Sequence, residues 1–354
     1  MEFTGGGRLE VRITTADVGK RVSVRYVTEP GDPGGTFTDA VGVLTSWDAG
    51  VLLITRRTGE AVRIAEPALV AGKVVPAAPA RRRGPAATFP ELARAAARAW
   101  QPVESEALGE WTLRAAYQDL PGEAGPRGAA AGRRVGFTRR ANSVLPLGDP
   151  GLPLDAALER VRDWYAARGL PAYVQTATGA EGTQELLSAE LEERGWVREI
   201  TAELRIAALA PIGDTDADVT EVRLARTVDE SWLRRYQRSA EPGPPARSVL
   251  SVLGSGPSVW FASVPGTEDI PAAIGRCVVD GRWAGFLAVE VAPEHRRRGL
   301  ATAVMTALAR RALDEGASAA WLQVESDNGG ARALYDGMGF TVHHHYHHYR
   351  WTDV

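Results

Sequence analysis

The chain has 354 residues, enough for two or three domains that each bury their own core. Apolar and charged fractions of 44% and 24% are those of a globular protein, and a formal net charge of −3 gives no general attraction to nucleic acid or to an anionic membrane surface. Basic charge is almost wholly arginine, with Lys20 and Lys73 the only lysines, a composition typical of GC-rich bacterial coding. A single cysteine, Cys277, excludes an internal disulfide and fits a reducing compartment. With no apolar signal core at the start and no run of ~18 apolar residues, a cytoplasmic protein without a membrane span is expected.

Residues 11–75 read as short strands separated by turns at Asp48-Ala49-Gly50 and Thr58-Gly59-Glu60, which predicts a small all-β barrel. Tyr26 and Trp47 are read there as core or rim aromatics. Residues 76–88, rich in proline, alanine and arginine, form a linker. Its Arg81-Arg82-Arg83 follows no strand, and Pro85 comes at once, so no helix N-terminus is presented.

From 89 to 208 the pattern predicts a helix over 90–100, strands over 111–116 and 134–147 around a Gly/Ala/Pro-rich insertion at 121–132, and an amphipathic helix over 154–168. A strand over 172–176, a helix over 183–194 and a strand over 201–206 complete that portion. From 217 to 354 a similar order returns: strand 219–225, helix 229–237, strands 258–263, 272–279 and 282–291, helix 301–315, strand 319–324, helix 330–338 and a terminal strand from 340. Two portions of like order suggest duplication.

The most informative stretch is 289–302, where an apolar strand runs through Arg296-Arg297-Arg298-Gly299 into an alanine-rich helix. Such a turn aims backbone N–H groups, a helix dipole and guanidinium groups at one point, which suits a diphosphate. No dinucleotide-type glycine fingerprint or Walker lysine accompanies it, so coenzyme A is the preferred anion. The corresponding turn of the middle portion, 147–153, carries Asp149 and two prolines, which oppose an anion and remove donors.

Arg296-x-x-Gly299-x-Ala301 at a strand-to-helix turn, then Asn328-x-x-Ala331-x-x-x-Tyr335 and Gly339-Phe340, resemble the GNAT acetyltransferase superfamily. The whole chain is similar to an actinobacterial subgroup with a Src-homology-3-like N-terminal barrel, a looser likeness that includes 136–143 and the His/Tyr-rich end. The resemblance implies an α/β (α+β) tandem GNAT-like fold with mixed, centrally splayed sheets, divided into an SH3-like barrel (11–75), a linker (76–88), a degenerate GNAT-like domain (89–208) and a catalytic domain (217–354). It implies acetyl-CoA as acyl donor, with the main chain of Val289 and Val291 pairing with the pantetheine arm. Backbone N–H groups of Arg297, Arg298, Gly299, Leu300, Ala301 and Thr302, beside Arg296, would hold the diphosphate. Asn328 is either a helix N-cap or a cofactor contact, or both.

Tyr335 is the catalytic candidate, a phenol able to donate to a departing thiolate. The base is open: some family members carry a glutamate where this chain has Gly285, which leaves Glu290 and Glu325 beside the gap. Cys277 lacks an identifiable base partner and is expected to be a buried strand residue. The run 343–349, with histidines at 343, 344, 345, 347 and 348, reads as a strand with one face toward the acceptor cleft, because alternate side chains of a strand diverge and cannot form one tetrahedral metal cluster. The expected activity is acetyl transfer to a primary amine in a ternary complex, by a monomer or weak homodimer with no metal, nucleic-acid or membrane partner. The competing expectation is a non-catalytic acyl-CoA-binding regulatory protein.

Overall fold

The structure, a computed structural model, describes residues 10–28, 36–76, 84–120, 133–236, 247–267 and 269–352. The linker arginines Arg81, Arg82 and Arg83, the insertion 121–132 and Gln237 lie outside the described residues.

Five N-terminal strands, β1 (Arg21–Val27), β2 (Phe37–Asp48), β3 (Val51–Thr55), β4 (Ala61–Ala65) and β5 (Leu69–Val74), form one sheet in the order β4-β3-β2-β1-β5. Period-two alternation turns Val22, Val24, Leu44, Leu52 and Ile54 inward, all fully buried around Ile13. Ala49 and Gly50 take positive φ between β2 and β3, as a two-residue hairpin turn requires. Tyr26 and Trp47 pack at the edge of this core. The ladder is barrel-like but open, since its two end strands, β4 and β5, do not pair with each other.

The remaining elements in chain order are α1 (Phe89–Ala99), β6 (Glu104–Leu108), β7 (Trp111–Ala115), β8 (Tyr117–Leu120), β9 (Arg133–Gly136), β10 (Leu145–Pro146), α2 (Leu154–Ala166), β11 (Tyr173–Thr178), α3 (Glu185–Glu193) and β12 (Val197–Ala208). There follow α4 (Ala210–Gly213), β13 (Arg223–Ala225), α5 (Glu230–Arg235), α6 (Arg247–Leu253), β14 (Ser258–Val264), β15 (Ala273–Asp280), β16 (Trp283–Val291), α7 (Leu300–Asp314), β17 (Ala319–Glu325), α8 (Gly329–Gly337) and β18 (Thr341–Arg350).

Two predicted strands are shorter than expected. The stretch 134–147 breaks at a 3-10 turn, Arg139–Ala141, between β9 and β10. The buried amide of Asn142 donates to the carbonyls of Ala116, Phe137 and Thr138 and accepts from the Ala116 N–H, so a side chain replaces the ladder there. The stretch 219–225 retains only β13, because Asp218 accepts from the Thr220 N–H and Val222 donates to Val219, which makes a turn.

Eight strands form the main sheet, in the order β11-β18-β12-β17-β16-β15-β14-β13. The last strand, β18, lies between β11 and β12, and β12 lies between β18 and β17. Each portion of the apparent repeat therefore places its final strand beside the other portion. On one face, α1, α5 and α6 bury Leu92, Trp232 and Val252 against Leu204, Trp321 and Val278. On the opposite face, α7 and α8 bury Val304, Leu308 and Tyr335 against Phe286, Leu322 and Val324. Fully buried Arg276 ties the first face together by donating to the carbonyls of Ala99, at the end of α1, and Ser255.

The turn between β3 and β4 docks on the main sheet. Arg57 donates to the carbonyls of Val342 (2.7 Å) and His343 (3.2 Å), Arg198 donates to that of Gly59 (2.7 Å), and Thr178 donates to that of Arg57 (2.8 Å). At Gly59, φ is +84° and an added Cβ would lie 2.6 Å from the His347 ring, so only glycine fits that approach.

Candidate active site

The parallel strands β16 and β17 pair from Trp283 opposite Ala319 to Phe286 opposite Leu322, and no further. Beyond that point β16 stays with β15, through Leu287–Arg276, Glu290–Ile274 and Val291–Ala273, while β17 stays with β12, through Gln323–Leu204 and Glu325–Ala202. The sheet thus opens between the two strands. A bulge helps to turn β16 away: its register shifts against β15, and Ala288 takes φ +50°. Val289 and Val291 stand on this freed segment, both half-buried.

The chain leaves β16 through a 3-10 turn, Pro293–His295, and enters α7 by way of Arg297 at φ +61° and Gly299 at φ +78°. A non-glycine residue held in the left-handed region stores strain of about 1–3 kcal/mol, a cost commonly met at functional sites. No side chain caps α7, and the N–H groups of Leu300, Ala301 and Thr302 have no preceding helical carbonyl. The space before Gly299 is open, with nothing within 4 Å of where a Cβ would stand. Arg296, Arg297 and Arg298 are exposed around it, and Arg298 donates to His295 Nδ1 at 2.9 Å. A helix start without a side-chain cap thus lies beside three exposed arginines, and the chemistry of that donor set fits a diphosphate. The turn before α2 is different: Glu110 accepts from the Asp149 N–H at 2.7 Å, so carboxylates occupy it.

Asn328 caps α8, accepting from the Ala331 N–H at 3.1 Å. Tyr335 projects from α8 into the core below the opened strands, 8% exposed, with its ring edge-on to Phe340 at 5.9 Å. Burial pushes its phenol up to about 12, and the Arg205 guanidinium partly offsets that rise. Arg205 comes from β12 and was not anticipated as a site residue. It pairs with Glu203 and Asp336, each at 2.6 Å, while Arg332 reaches Glu203 at 3.1 Å. The Glu203-x-Arg205 alternation in the more apolar second half of β12 was the available signal, but which helix it would meet is a tertiary fact.

Glu290 and Glu325 lie on the two diverging strands and on one face of the sheet. Each alternates with residues of the α7 face, namely Val289 and Val291 beside Glu290, and Val324 beside Glu325. Gly285 cannot be replaced by a projecting carboxylate without moving Trp321: a Cβ there would sit 2.4 Å from the indole. Trp321 fills the volume that a glutamate would need. Gly285→Ala is accordingly expected to destabilise the fold by about 1–3 kcal/mol through overpacking. Thermal unfolding checks this, and an unchanged melting temperature would mean that the indole yields freely.

Cys277 is fully buried in β15, and burial pushes its thiol up to about 12, which makes it a poor nucleophile. The histidine run forms β18. His347 is held from both sides, by Thr178 at 2.9 Å on Nε2 and Thr201 at 3.0 Å on Nδ1, and burial pushes its ring down to about 3. Among the described residues no group of three or more His, Cys, Asp or Glu is placed to hold a metal ion.

Comparison with known proteins gives relatives along most of the chain. A Mycobacterium tuberculosis protein described as "Probable histone acetyltransferase Rv0428c" is 28% identical over 329 residues, 93% of each chain. A Bacillus subtilis protein, "Uncharacterized N-acetyltransferase YobR", is 25% identical over 269 residues, 72% of this chain and 96% of that one. Among solved structures, a tandem GNAT protein from the clavulanic acid biosynthesis pathway shares the fold, with a TM-score of 0.50 at 12% identity over 76% of this chain and 90% of that chain. An open mixed sheet with an uncapped, arginine-flanked helix start, together with these relatives, defines a GNAT-type acetyltransferase. Residues 87–349 match the family described as "Probable histone acetyltransferase Rv0428c C-terminal", and the chain belongs to that family; residues 16–73 match its "N-terminal Sm-like domain", corresponding to the predicted SH3-like barrel.

Proposed function

We propose that the chain transfers an acetyl group from acetyl-CoA to a primary amine by direct attack in a ternary complex. The observation that carries this reading is the loss of pairing between β16 and β17 after Phe286 and Leu322, beside the uncapped start of α7. In this reading the main chain of Val289 and Val291 pairs with the pantetheine arm. The N–H groups of Arg297 through Thr302, with the guanidinium of Arg296, hold the diphosphate, and Asn328 both caps α8 and borders the cofactor. The catalytic unit is 217–354; 89–208 contributes β11 and β12 and walls the acceptor side, and 11–75 docks through its Arg57 turn.

Glu290 or Glu325 takes a proton from the ammonium form of the acceptor. The nitrogen then bonds to the thioester carbon and the carbon–sulfur bond breaks. Tyr335 donates to the leaving sulfur, and the proton shed by the new amide nitrogen restores the phenol. The name of the M. tuberculosis relative makes a lysine-bearing peptide one acceptor to test.

A screen of amines, peptides included, for coenzyme A release and acetylated product tests the proposal. Release with at least one amine is expected. Acetyl-CoA binding without release from any amine would favour the regulatory alternative.

A further inference from the structure

The segment 136–143 has a role that the acyl-transfer reading leaves unused. Its centre is strained: Thr138, a β-branched residue, takes φ +54°, and its hydroxyl is buried without a partner. The four hydrogen bonds of buried Asn142 hold the turn in that shape. The two adjoining arginines differ. Arg139 pairs with Glu199 at 3.0 Å. Arg140 meets only the Tyr346 hydroxyl among the described residues, at 2.9 and 3.2 Å, with its charge 5.8 Å from the Trp100 ring and no carboxylate beside it.

Next to this pair stands His348, two positions along β18 from Tyr346 and on the same face, with the rings 5.7 Å apart. His348 is 2% exposed and neither ring nitrogen has a partner. A buried imidazole with both nitrogens idle forfeits about 1–3 kcal/mol per unmade bond unless something else supplies them. A half-buried guanidinium with no counter-ion among the described residues, a strained turn with an idle hydroxyl and an idle imidazole thus lie close together.

Strand β12 links that cluster to the opened strands. Tyr346 pairs with Ala202, and Ala202 pairs with Glu325, so Tyr346 and Glu325 share a face. Two strand spacings, about 10 Å, separate them. We propose that Arg140, with Tyr346 and His348, is a subsite for an anionic group, a carboxylate, carried by the acceptor several bonds from its amine. This rests on the acetyl-transfer reading for the position of the amine. The acceptor class it specifies is an amine with a remote negative charge, in place of a simple alkylamine.

The test uses ω-amino acids of four to six carbons and their primary amides, with the full-length protein. Calorimetric titration of each compound into protein saturated with coenzyme A reads binding, and coenzyme A release from acetyl-CoA reads turnover. Loss of a charged hydrogen bond is worth about 10- to 100-fold, so the wild type is expected to prefer acid to amide by about that factor. Arg140→Gln should collapse the acid-to-amide ratio toward one, and Arg140→Lys should keep part of it. Equal use of acids and amides by the wild type, or a preference that survives Arg140→Gln, overturns the subsite. If Arg140→Gln does not fold, the wild-type preference and Arg140→Lys still decide. Acid-selective binding with no turnover on any amine would retain the subsite and remove the acetyl-transfer reading.

Discussion

Gly299→Glu is expected to weaken acetyl-CoA binding by about 100-fold or more, measured by calorimetry. Two physical effects add. At φ +78° a side chain costs about 1–2 kcal/mol, which Gly299 avoids. The introduced carboxylate would also stand at the positive end of α7, where the dipole favours it, in the open space before Gly299. There it would compete with the diphosphate and repel it; like charges about 4 Å apart near a protein surface interact by about 4 kcal/mol. Gly299→Ala separates the two contributions. It keeps the backbone strain, adds no charge and meets no atom within 4 Å, so a loss of about tenfold or less is expected. Binding by Gly299→Glu equal to wild type would exclude this turn as the cofactor site.

Tyr335→Phe is expected to lower turnover by about 100-fold, with the acetyl-CoA dissociation constant changed less than about twofold. Phenylalanine preserves the ring contact with Phe340 and the packing in the core below the opened strands, so only the hydroxyl is lost. Because burial pushes the phenol up to about 12, Tyr335 stays protonated through the neutral range and serves as a donor there. Its own ionisation should give no alkaline limb in the pH–rate profile below about pH 11. A limb at lower pH would belong to another group and should persist in Tyr335→Phe. An undiminished rate in that variant would remove Tyr335 from the chemistry.

Much of the candidate site's local geometry is legible along the chain. Arg296 to Thr302 forms the turn that the spacing implies, Asn328 caps the next helix, and Tyr335 lies about two turns further along it, because capping, left-handed glycine and helix periodicity are local rules. The strand break at Thr138 was missed, since its cause is a side-chain amide that borrows the carbonyl of Ala116, 26 residues away in sequence. The place of Arg205 beneath Tyr335 was missed for the same kind of reason.

Composition, alternation and turn chemistry were enough for most of the elements, the strand-to-helix turn at Arg296–Thr302 and the buried state of Cys277, as these depend on neighbours a few residues apart; β6, α4 and α6 were not expected from them. Only the tertiary structure decided that β18 lies between β11 and β12, that Trp321 occupies the volume over Gly285, and that a turn of the N-terminal sheet rests against His347. Pairing between strands more than a hundred residues apart depends on which faces remain to be buried once the whole chain has collapsed, and no short stretch of residues encodes that.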